Sequence, residues 1–338
     1  MGHLTEKMKA MKFASILVPL ALFTAVMSRA QYTDEINTNR PGESMNAYAV
    51  GKQVIQLESG FNYVKEQYDQ NAYNTEGYQI NLNTRYGFWK EELEGILEMT
   101  YQNDTYFSAL GNYHRDGFRK VALGFKYLIY DPFKNYETKP NVYSWKANHK
   151  FNWHMMIPAV SVYAGTNIIF GNYPFMYKGE HYGVLSPKIM VVTQNTFTGA
   201  WSIVTNLFVD KIASNNQTIG FIGTIAKGFN RWSGFIEGKV LSGAYYRDTF
   251  MTFGAAYLWG SSFQVDAFLS QNMKNTPSIT YAGLGLSWRT DTMYEDYMIR
   301  SPKDKDKSKK DKKKSKEEKS KEKDKQKLKK RLDEVTSL

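Results

Sequence analysis

The side chains of residues 78–88 alternate in character from one residue to the next, in the order Tyr78-Gln79-Ile80-Asn81-Leu82-Asn83-Thr84-Arg85-Tyr86-Gly87-Phe88. Its even-numbered positions are mostly apolar, and its odd-numbered positions are polar or small. A period of two is that of a β-strand, in which successive side chains point to opposite faces. The stretch therefore predicts a strand with one apolar face and one polar face.

The same alternation recurs through residues 53–289 and predicts twelve strands. They are expected at 53–63, 78–88, 92–102, 119–130, 156–170, 186–196, 200–210, 217–228, 231–243, 249–258, 262–271 and 278–289. The pattern is weakest in 186–196, where Met190 and Val192 interrupt the polar face. Many of these strands have the length of a tilted membrane-spanning strand, whereas strands of a soluble sandwich usually have about 5–6 residues. The prediction is an all-β fold, a transmembrane antiparallel up-and-down barrel of about 12 strands surrounded by outer-membrane lipid.

The seven tryptophans support this topology, because they gather at one end of the expected barrel. With the N-terminus placed in the periplasm, the periplasmic turns and the end of the last strand carry Trp89, Trp145, Trp153, Trp201, Trp232, Trp259 and Trp288. Indole rings at the headgroup level form the aromatic girdle of a membrane protein.

The lengths of the connections fit the same threading. The periplasmic turns at 88–91, 197–200, 228–231 and 259–261 are short. Longer loops are expected on the opposite side, at 64–77, 103–118 and 171–185, as in outer-membrane barrels. The exception is the long periplasmic turn 131–154, which could fold inward or contact a partner.

Charge is distributed unevenly along the chain. Residues 301–338 carry 17 basic and 9 acidic side chains, residues 1–30 carry 4 and 1, and residues 31–300 carry 23 of each. A neutral body argues against a basic nucleic-acid-binding domain, so no nucleic-acid partner is expected. The chain has no cysteine, which excludes disulfides and zinc–thiolate sites.

The N-terminus has the pattern of an export signal. Lys7, Lys9 and Lys12 precede an apolar run that ends at Met27, and small residues then permit cleavage after Ala30. We therefore expect a signal peptide at 1–30 and an outer-membrane location. A periplasmic segment at 31–52, a barrel at 53–289 and a lysine-rich periplasmic tail at 290–338 complete the expected organisation.

The start of the mature chain resembles a known family. Thr38-Asn39-Arg40-Pro41-Gly42-Glu43-Ser44 is similar to the TDRPG-x-x-S opening of the outer-membrane barrel family labelled "transporter", or similar to a protein of the meta-pathway of phenol degradation. Residues 51–61 resemble the first strand of that family, and weaker similarities continue to residue 289. The resemblance implies a twelve-stranded barrel and a transport role without a defined substrate. Asn39 stands where the family usually has Asp, and the lysine-rich tail departs from the family pattern.

The polar faces of the strands supply the residues expected to line the barrel interior, which we call the bore. They are Glu58, Arg85, Glu94, Glu98, Lys120, Lys126, Lys188, Asp210, Glu237, Lys239 and Asp266. Six acids and five bases nearly balance, which favours paired side chains over a ring selective for one sign of charge. In the motif Asn39, Arg40, Pro41 and Gly42, Arg40 is either a charged gate or a partner of a bore carboxylate such as Glu58. The second role would fix the segment at the barrel mouth.

Patterns for catalysis are missing from the sequence. His114, His149, His154 and His181 are isolated from one another, and there is no nucleophile elbow, metal-ligand spacing or complete phosphate loop. We therefore expect no enzymatic activity, no cofactor and no metal.

Two functions stay open on the sequence alone. The first is a narrow transporter or channel for small or hydrophobic solutes. The second is a non-conducting accessory subunit of a larger outer-membrane assembly or secretion complex, whose tail binds a periplasmic or outer-membrane protein. The tail cannot bury a core, but Leu328, Leu332 and Val335 recur at i, i+4 and i+7 and would form a docking stripe.

The tail allows a first test. Because an even number of strands returns the chain to the periplasm, trypsin should cut the tail in opened cells and spare it in intact cells. Changing Leu328, Leu332 and Val335 together to Ser should abolish co-purification of a docked partner while the charge of the tail is retained. Cleavage in intact cells would contradict the strand count or the orientation.

Overall fold

A computed structural model describes residues 36–68, 73–109, 111–134, 136, 144, 151–169, 174–175, 184–212 and 214–290. The expected signal peptide and the docking residues Leu328, Leu332 and Val335 lie outside the described residues. Within those residues, no helix is long and apolar enough to cross a membrane.

Twelve antiparallel strands make up the described body of the chain. They are β1 (Ile55–Tyr68), β2 (Tyr73–Gly87), β3 (Leu93–Ser108), β4 (Gly111–Tyr130), β5 (Ala159–Ile168), β6 (Leu185–Phe197), β7 (Trp201–Asp210), β8 (Thr218–Phe229), β9 (Trp232–Gly243), β10 (Arg247–Trp259), β11 (Phe263–Asn272) and β12 (Ser278–Arg289). A short 3-10 helix, Trp153–Met156, precedes β5. Each strand contains or closely matches one of the predicted strands.

The barrel closes because the first strand pairs with the last. The β1–β12 ladder runs from Gln56 opposite Arg289 to Gln67 opposite Ser278, and every other strand pairs with its sequence neighbours. Closure leaves no sheet edge, so backbone groups within the hydrocarbon region are paired without water. The predicted fold, a twelve-stranded transmembrane up-and-down barrel, is confirmed.

Two of the predicted loops are wrong. Residues 64–77 and 103–118 are mostly strand, because β1 and β2 pair as far as Tyr68 opposite Tyr73, and β3 and β4 pair as far as Ser108 opposite Gly111. The apolar and polar alternation that predicts the strands stops in these stretches, but a strand that has left the hydrocarbon can be polar on both faces. A connection between β5 and β6 does fall near the predicted 171–185.

The outer surface of the barrel is apolar. Phe61, Leu207 and Leu284 each expose more than half of their surface, and many other large apolar side chains around the barrel are similarly exposed. Such a continuous apolar band is stable against lipid and unfavourable against water. The sequence alternation therefore placed the apolar faces toward lipid correctly.

One end of the barrel, which we call the tryptophan end, carries the tryptophans as predicted. Trp89, Trp153, Trp201, Trp232, Trp259 and Trp288 all lie at the turns after β2, β4, β6, β8 and β10 or at the end of β12, and all are exposed. Trp145 lies outside the described residues.

The long connection between β4 and β5 is anchored at the same end. Lys134 pairs with Glu92 at 3.1 Å, and the Asn195 amide donates to the carbonyl oxygens of Met155 and Met156 at 3.1 and 3.0 Å. Within the connection, the rings of Tyr136 and His154 stack with their centroids 3.8 Å apart. These contacts attach the described part of the connection to the barrel rim.

The closing ladder provides a test of the side-chain register. Trp288 faces outward between Leu57 and Phe263, its register partners on β1 and β11. Trp288→Asp places a charge beside the closing seam at the membrane interface, so the folded yield should fall, whereas Trp288→Tyr keeps an amphipathic ring and should fold normally. The fraction of heat-modifiable protein on unheated gels measures the yield. Equal yields for the two variants would contradict the outward register.

Candidate functional site, a segment inserted in the bore

Residues 36–50, which we call the plug segment, lie inside the barrel. The segment forms neither helix nor strand, yet Ile36, Met45, Ala47 and Val50 are buried. The sequence predicts a periplasmic segment at 31–52, held at the barrel mouth by Arg40. It instead crosses the bore near the tryptophan end, where the Ile36 amide donates to the Ser261 carbonyl at 2.8 Å.

Neutral polar side chains of the wall bind the backbone of the plug segment. Asn206 on β7 accepts from the Met45 amide at 2.6 Å and donates to the Met45 carbonyl at 2.9 Å, as a neighbouring strand would. On the other side of Met45, Gln194 accepts from the Ala47 amide at 2.9 Å, and the Ser161 hydroxyl donates to the Ala47 carbonyl at 2.5 Å. The wall thus replaces the secondary structure that the segment lacks, which satisfies its buried backbone groups.

A buried group of four charged side chains holds both ends of the segment. Arg85 lies between Glu94, at 3.0 Å, and Glu58, at 3.6 Å, and Lys126 lies 2.8 Å from Glu94. All four are completely buried.

The same charged group also bonds to the segment backbone. Arg85 donates to the carbonyl oxygens of Asn37 at 2.8 Å and Tyr48 at 3.2 Å, and Lys126 donates to that of Asn46 at 2.6 Å. Glu94 accepts from the Val50 amide at 2.8 Å. Two cations and two carboxylates balance in charge, and their hydrogen bonds to the segment backbone offset part of the cost of burying them.

Arg40 lies against the β1–β12 ladder, which closes the barrel. Its guanidinium pairs with Asp266 on β11 at 3.1 Å, so its partner is a bore carboxylate, as one of the two alternatives predicted, but it is Asp266 rather than Glu58. A β-carbon on Gly60 or on Gly285, which face each other on β1 and β12, would collide with the guanidinium. Glu58 instead pairs with Arg85 and accepts from the Asn39 amide at 3.2 Å. The closing of the barrel brings these partners together, which sequence spacing could not show.

The rest of the N-terminal motif lies against β9. Glu237 accepts from the Glu43 amide at 2.9 Å and from the Ser44 amide at 3.1 Å. A β-carbon on Gly42 would collide with the Glu237 carboxylate, which explains a glycine at that position. The Glu43 carboxylate in turn pairs with Lys239 at 2.6 Å.

An apolar cluster surrounds the Met45 and Ala47 side chains of the segment. Its members are Met45, Ala47, Ile96, Leu128, Ala159, Tyr163, Met190, Val192, Phe208 and Ile222. Met190 and Val192, which made β6 the least regular strand in the sequence, therefore face inward and pack against the segment. Their apolar character is explained by this contact.

Beyond the segment, toward the end opposite the tryptophans, the bore is lined by further pairs. Lys120 lies 2.5 Å from Glu98, and Asp210 accepts from Asn167 at 2.6 Å. Three aromatic rings lie directly over glycines of the adjacent strand: Phe208 over Gly220, Phe235 over Gly254 and Phe268 over Gly283. A glycine partner lets each ring lie along the wall rather than across the bore.

The sequence-derived residues thus fall into two sets. The first set contacts the plug segment and consists of Glu58, Arg85, Glu94, Lys126, Glu237, Asp266 and Lys239, the last by its ion pair with Glu43 of the segment. The second set, Glu98 and Asp210, lies beyond the segment. Sequence reasoning missed Ser161, Gln194 and Asn206, whose only signal was a polar residue on an inward face. Among the residues that the structure describes, no cluster of His, Asp and Glu could hold a metal ion.

This architecture defines the class of protein, a transmembrane β-barrel of the outer-membrane type with its own N-terminal segment inserted in the bore. The family model described as "Putative MetA-pathway of phenol degradation" matches residues 38–290, and the chain belongs to that family. The match begins within the plug segment and ends after the closing strand.

Solved structures with a similar arrangement of strands share little sequence with this chain. The translocator domain of the autotransporter NalP from Neisseria meningitidis is 10% identical, with a TM-score of 0.41 over 75% of this chain and 90% of that one. The transport unit of the autotransporter AIDA-I from Escherichia coli is 10% identical, with a TM-score of 0.43 over 81% and 97%. The CymD monoaromatic hydrocarbon channel is 9% identical, with a TM-score of 0.37 over 72% and 90%. No curated protein matches the chain. Likenesses of this strength carry no weight for the function.

The position of Arg40 can be tested with a thiol reporter, because the chain has no cysteine. Ser44 is buried, so a Ser44→Cys variant should be labelled slowly by a water-soluble maleimide. Adding Gly285→Val forces the guanidinium away, and since overpacking costs about 1–3 kcal/mol, labelling should become about tenfold faster.

A matched control uses another strand glycine. A β-carbon on Gly234 meets no atom within 4 Å, so Gly234→Val should leave the labelling rate of Cys at position 44 unchanged. Heat-modifiable migration confirms that each variant is folded. Equal maleimide-labelling rates in the Gly285→Val and Gly234→Val variants would show that Arg40 does not hold the segment in place.

Proposed function

We propose that this protein is a narrow outer-membrane channel for small solutes, and that the plug segment closes it. The proposal requires export to the outer membrane, with cleavage after Ala30 leaving the plug segment near the new N-terminus. It follows from the way in which the segment is held, and the family membership is consistent with it.

One observation carries the proposal, the polar attachment of the plug segment. The segment has no secondary structure of its own, and its backbone groups bond to neutral wall side chains such as Asn206, Gln194 and Ser161. Water can replace hydrogen bonds of this kind with little net change in free energy, about 0.5–1.5 kcal/mol for each neutral bond. The segment can therefore leave the part of the wall that binds its backbone, which is already polar, whereas a purely structural filling would be best made of apolar side chains.

The charges of the bore indicate which selectivity to expect. Arg85 and Lys126 are balanced by Glu58 and Glu94 with the segment in place. After the segment leaves, these groups still neutralise one another, so this part of the bore offers no ring of a single sign. The channel is therefore expected to discriminate weakly between small cations and anions at this level.

The second function considered from the sequence, an accessory subunit docked through its tail, depends on residues outside those described. No described contact favours it over a channel. The tail stays a predicted docking element that a channel could carry as well.

Single-channel recording in planar bilayers tests the proposal. The full chain should be closed for most of the recording, and a variant lacking residues 36–50 should conduct continuously, with a rise in mean current of about tenfold or more. Arg40→Ala should give intermittent openings, because it leaves Asp266 unpaired and frees one attachment of the segment. Arg40→Lys keeps the charge and should open less often.

Folding and conduction must be separated in this experiment. Each variant is first shown to be heat-modifiable, so that a lack of conduction cannot be attributed to misfolding. A folded deletion variant that never conducts would overturn the channel and favour a non-conducting role.

A further inference from the structure

A group of hydrogen-bond donors without acceptors lies just beyond the plug segment. Lys188 on β6 is nine-tenths buried and has neither an ion pair nor a hydrogen bond with any residue in the described part of the chain. The hydroxyls of Ser186 and Tyr163 are also buried and find no partner among the described residues. Buried polar groups are normally satisfied, so each such group calls for an explanation.

These three donors are neighbours on the wall. Ser186 and Lys188 are two residues apart on the inward face of β6. Lys188 is the register partner of Gly165 on β5, and the Tyr163 hydroxyl lies directly over Gly165, where a β-carbon would collide with it. The glycine therefore lets the Tyr163 hydroxyl reach the position beside Lys188.

Other charged groups nearby are already engaged. Lys120 pairs with Glu98 at 2.5 Å, and Lys239 pairs with Glu43 at 2.6 Å. Asp210 accepts from Asn167 at 2.6 Å and lies outside ion-pair distance of Lys188. Among the inward-facing lysines of the described strands, Lys188 alone has no carboxylate partner, so its ammonium is available to an anion.

Aromatic rings complete the surroundings of this lysine. The Lys188 ammonium lies 5.1 Å from the ring centroid of Phe208 and 5.9 Å from that of Tyr163. Both rings lie along the wall over glycines, Gly220 under Phe208 and Gly165 under Tyr163. Cation–π attraction holds the ammonium in place without satisfying its N–H groups.

We infer that Lys188, Ser186, Tyr163 and Phe208 form a binding subsite for a small organic carboxylate with an apolar body. The carboxylate accepts from the ammonium and the two hydroxyls, and the body packs on the two rings. The subsite rests on the proposed function in one respect: it lies on the path that opens when the plug segment leaves. It gives the channel a preference that the balanced charges around Arg85 do not provide.

Direct binding in detergent, measured on the full chain and on the folded variant lacking residues 36–50, in which Met45 and Ala47 no longer cover Tyr163 and Phe208, tests the subsite without measuring conduction. Benzoate, added as the probe, should bind more tightly than acetate, which lacks the apolar body, and than benzyl alcohol, which lacks the charge. Isothermal titration or ligand-observed NMR gives the affinities. Lys188→Met keeps the length of the side chain and removes the charge, and it should weaken benzoate binding about tenfold or more. Tyr163→Phe should weaken it by a smaller factor.

A lysine on the outer surface serves as the control. Lys227 lies between two rings at the lipid-facing rim, with its ammonium 4.7 Å from the ring centroid of Trp201 and 4.5 Å from that of Phe229. Lys227→Met therefore removes one positive charge, as Lys188→Met does, but outside the bore. It should leave benzoate affinity unchanged. Equal binding of the three probes, no binding of benzoate, or equal losses in the Lys188 and Lys227 variants would overturn the subsite. If the variant without residues 36–50 conducts but any of these results is obtained, the proposed channel is supported and only the subsite is rejected.

Discussion

The pairing of β1 with β12 is the contact on which the rest of the structure depends. In the hydrocarbon region an unpaired strand edge has no water to satisfy it, so the sheet must close. Closure places Gly60 opposite Gly285 and brings β11 beside them. Only then do the two glycines and Asp266 form the position that Arg40 occupies. The lipid-facing surface and the interior thus follow from one ladder.

The interior of this barrel is filled in two different ways. Charged and amide side chains bind the backbone of the plug segment, and an apolar cluster packs around the side chains of Met45 and Ala47. A bore of twelve strands is wider than side chains from the wall alone would fill. Inserting a segment of the same chain fills this space, and in the proposed channel the bore opens when that segment is withdrawn.

Much of the fold could be predicted from the sequence because lipid imposes a simple rule on each strand. Alternation gave all twelve strands and the side of each that faces outward, and the tryptophans marked one end of the barrel. The predicted loops at 64–77 and 103–118 failed because that rule ends where the membrane ends. Beyond it, polar residues such as those around Lys65 and Glu76 pair across strands as readily as they form loops.

The period of two, the neutral body and the set of inward-facing residues can all be recognised from the amino-acid sequence alone. It could not determine which inward residues meet, because Arg40 and Asp266 are 226 positions apart and contact each other only across a closed barrel. Nor could it show that Asn206 and Gln194 bind a backbone, since neither residue is distinguishable in sequence from any other polar residue on an inward face. Local periodicity reports the environment of a side chain, whereas its partner depends on the register and closure of the whole sheet.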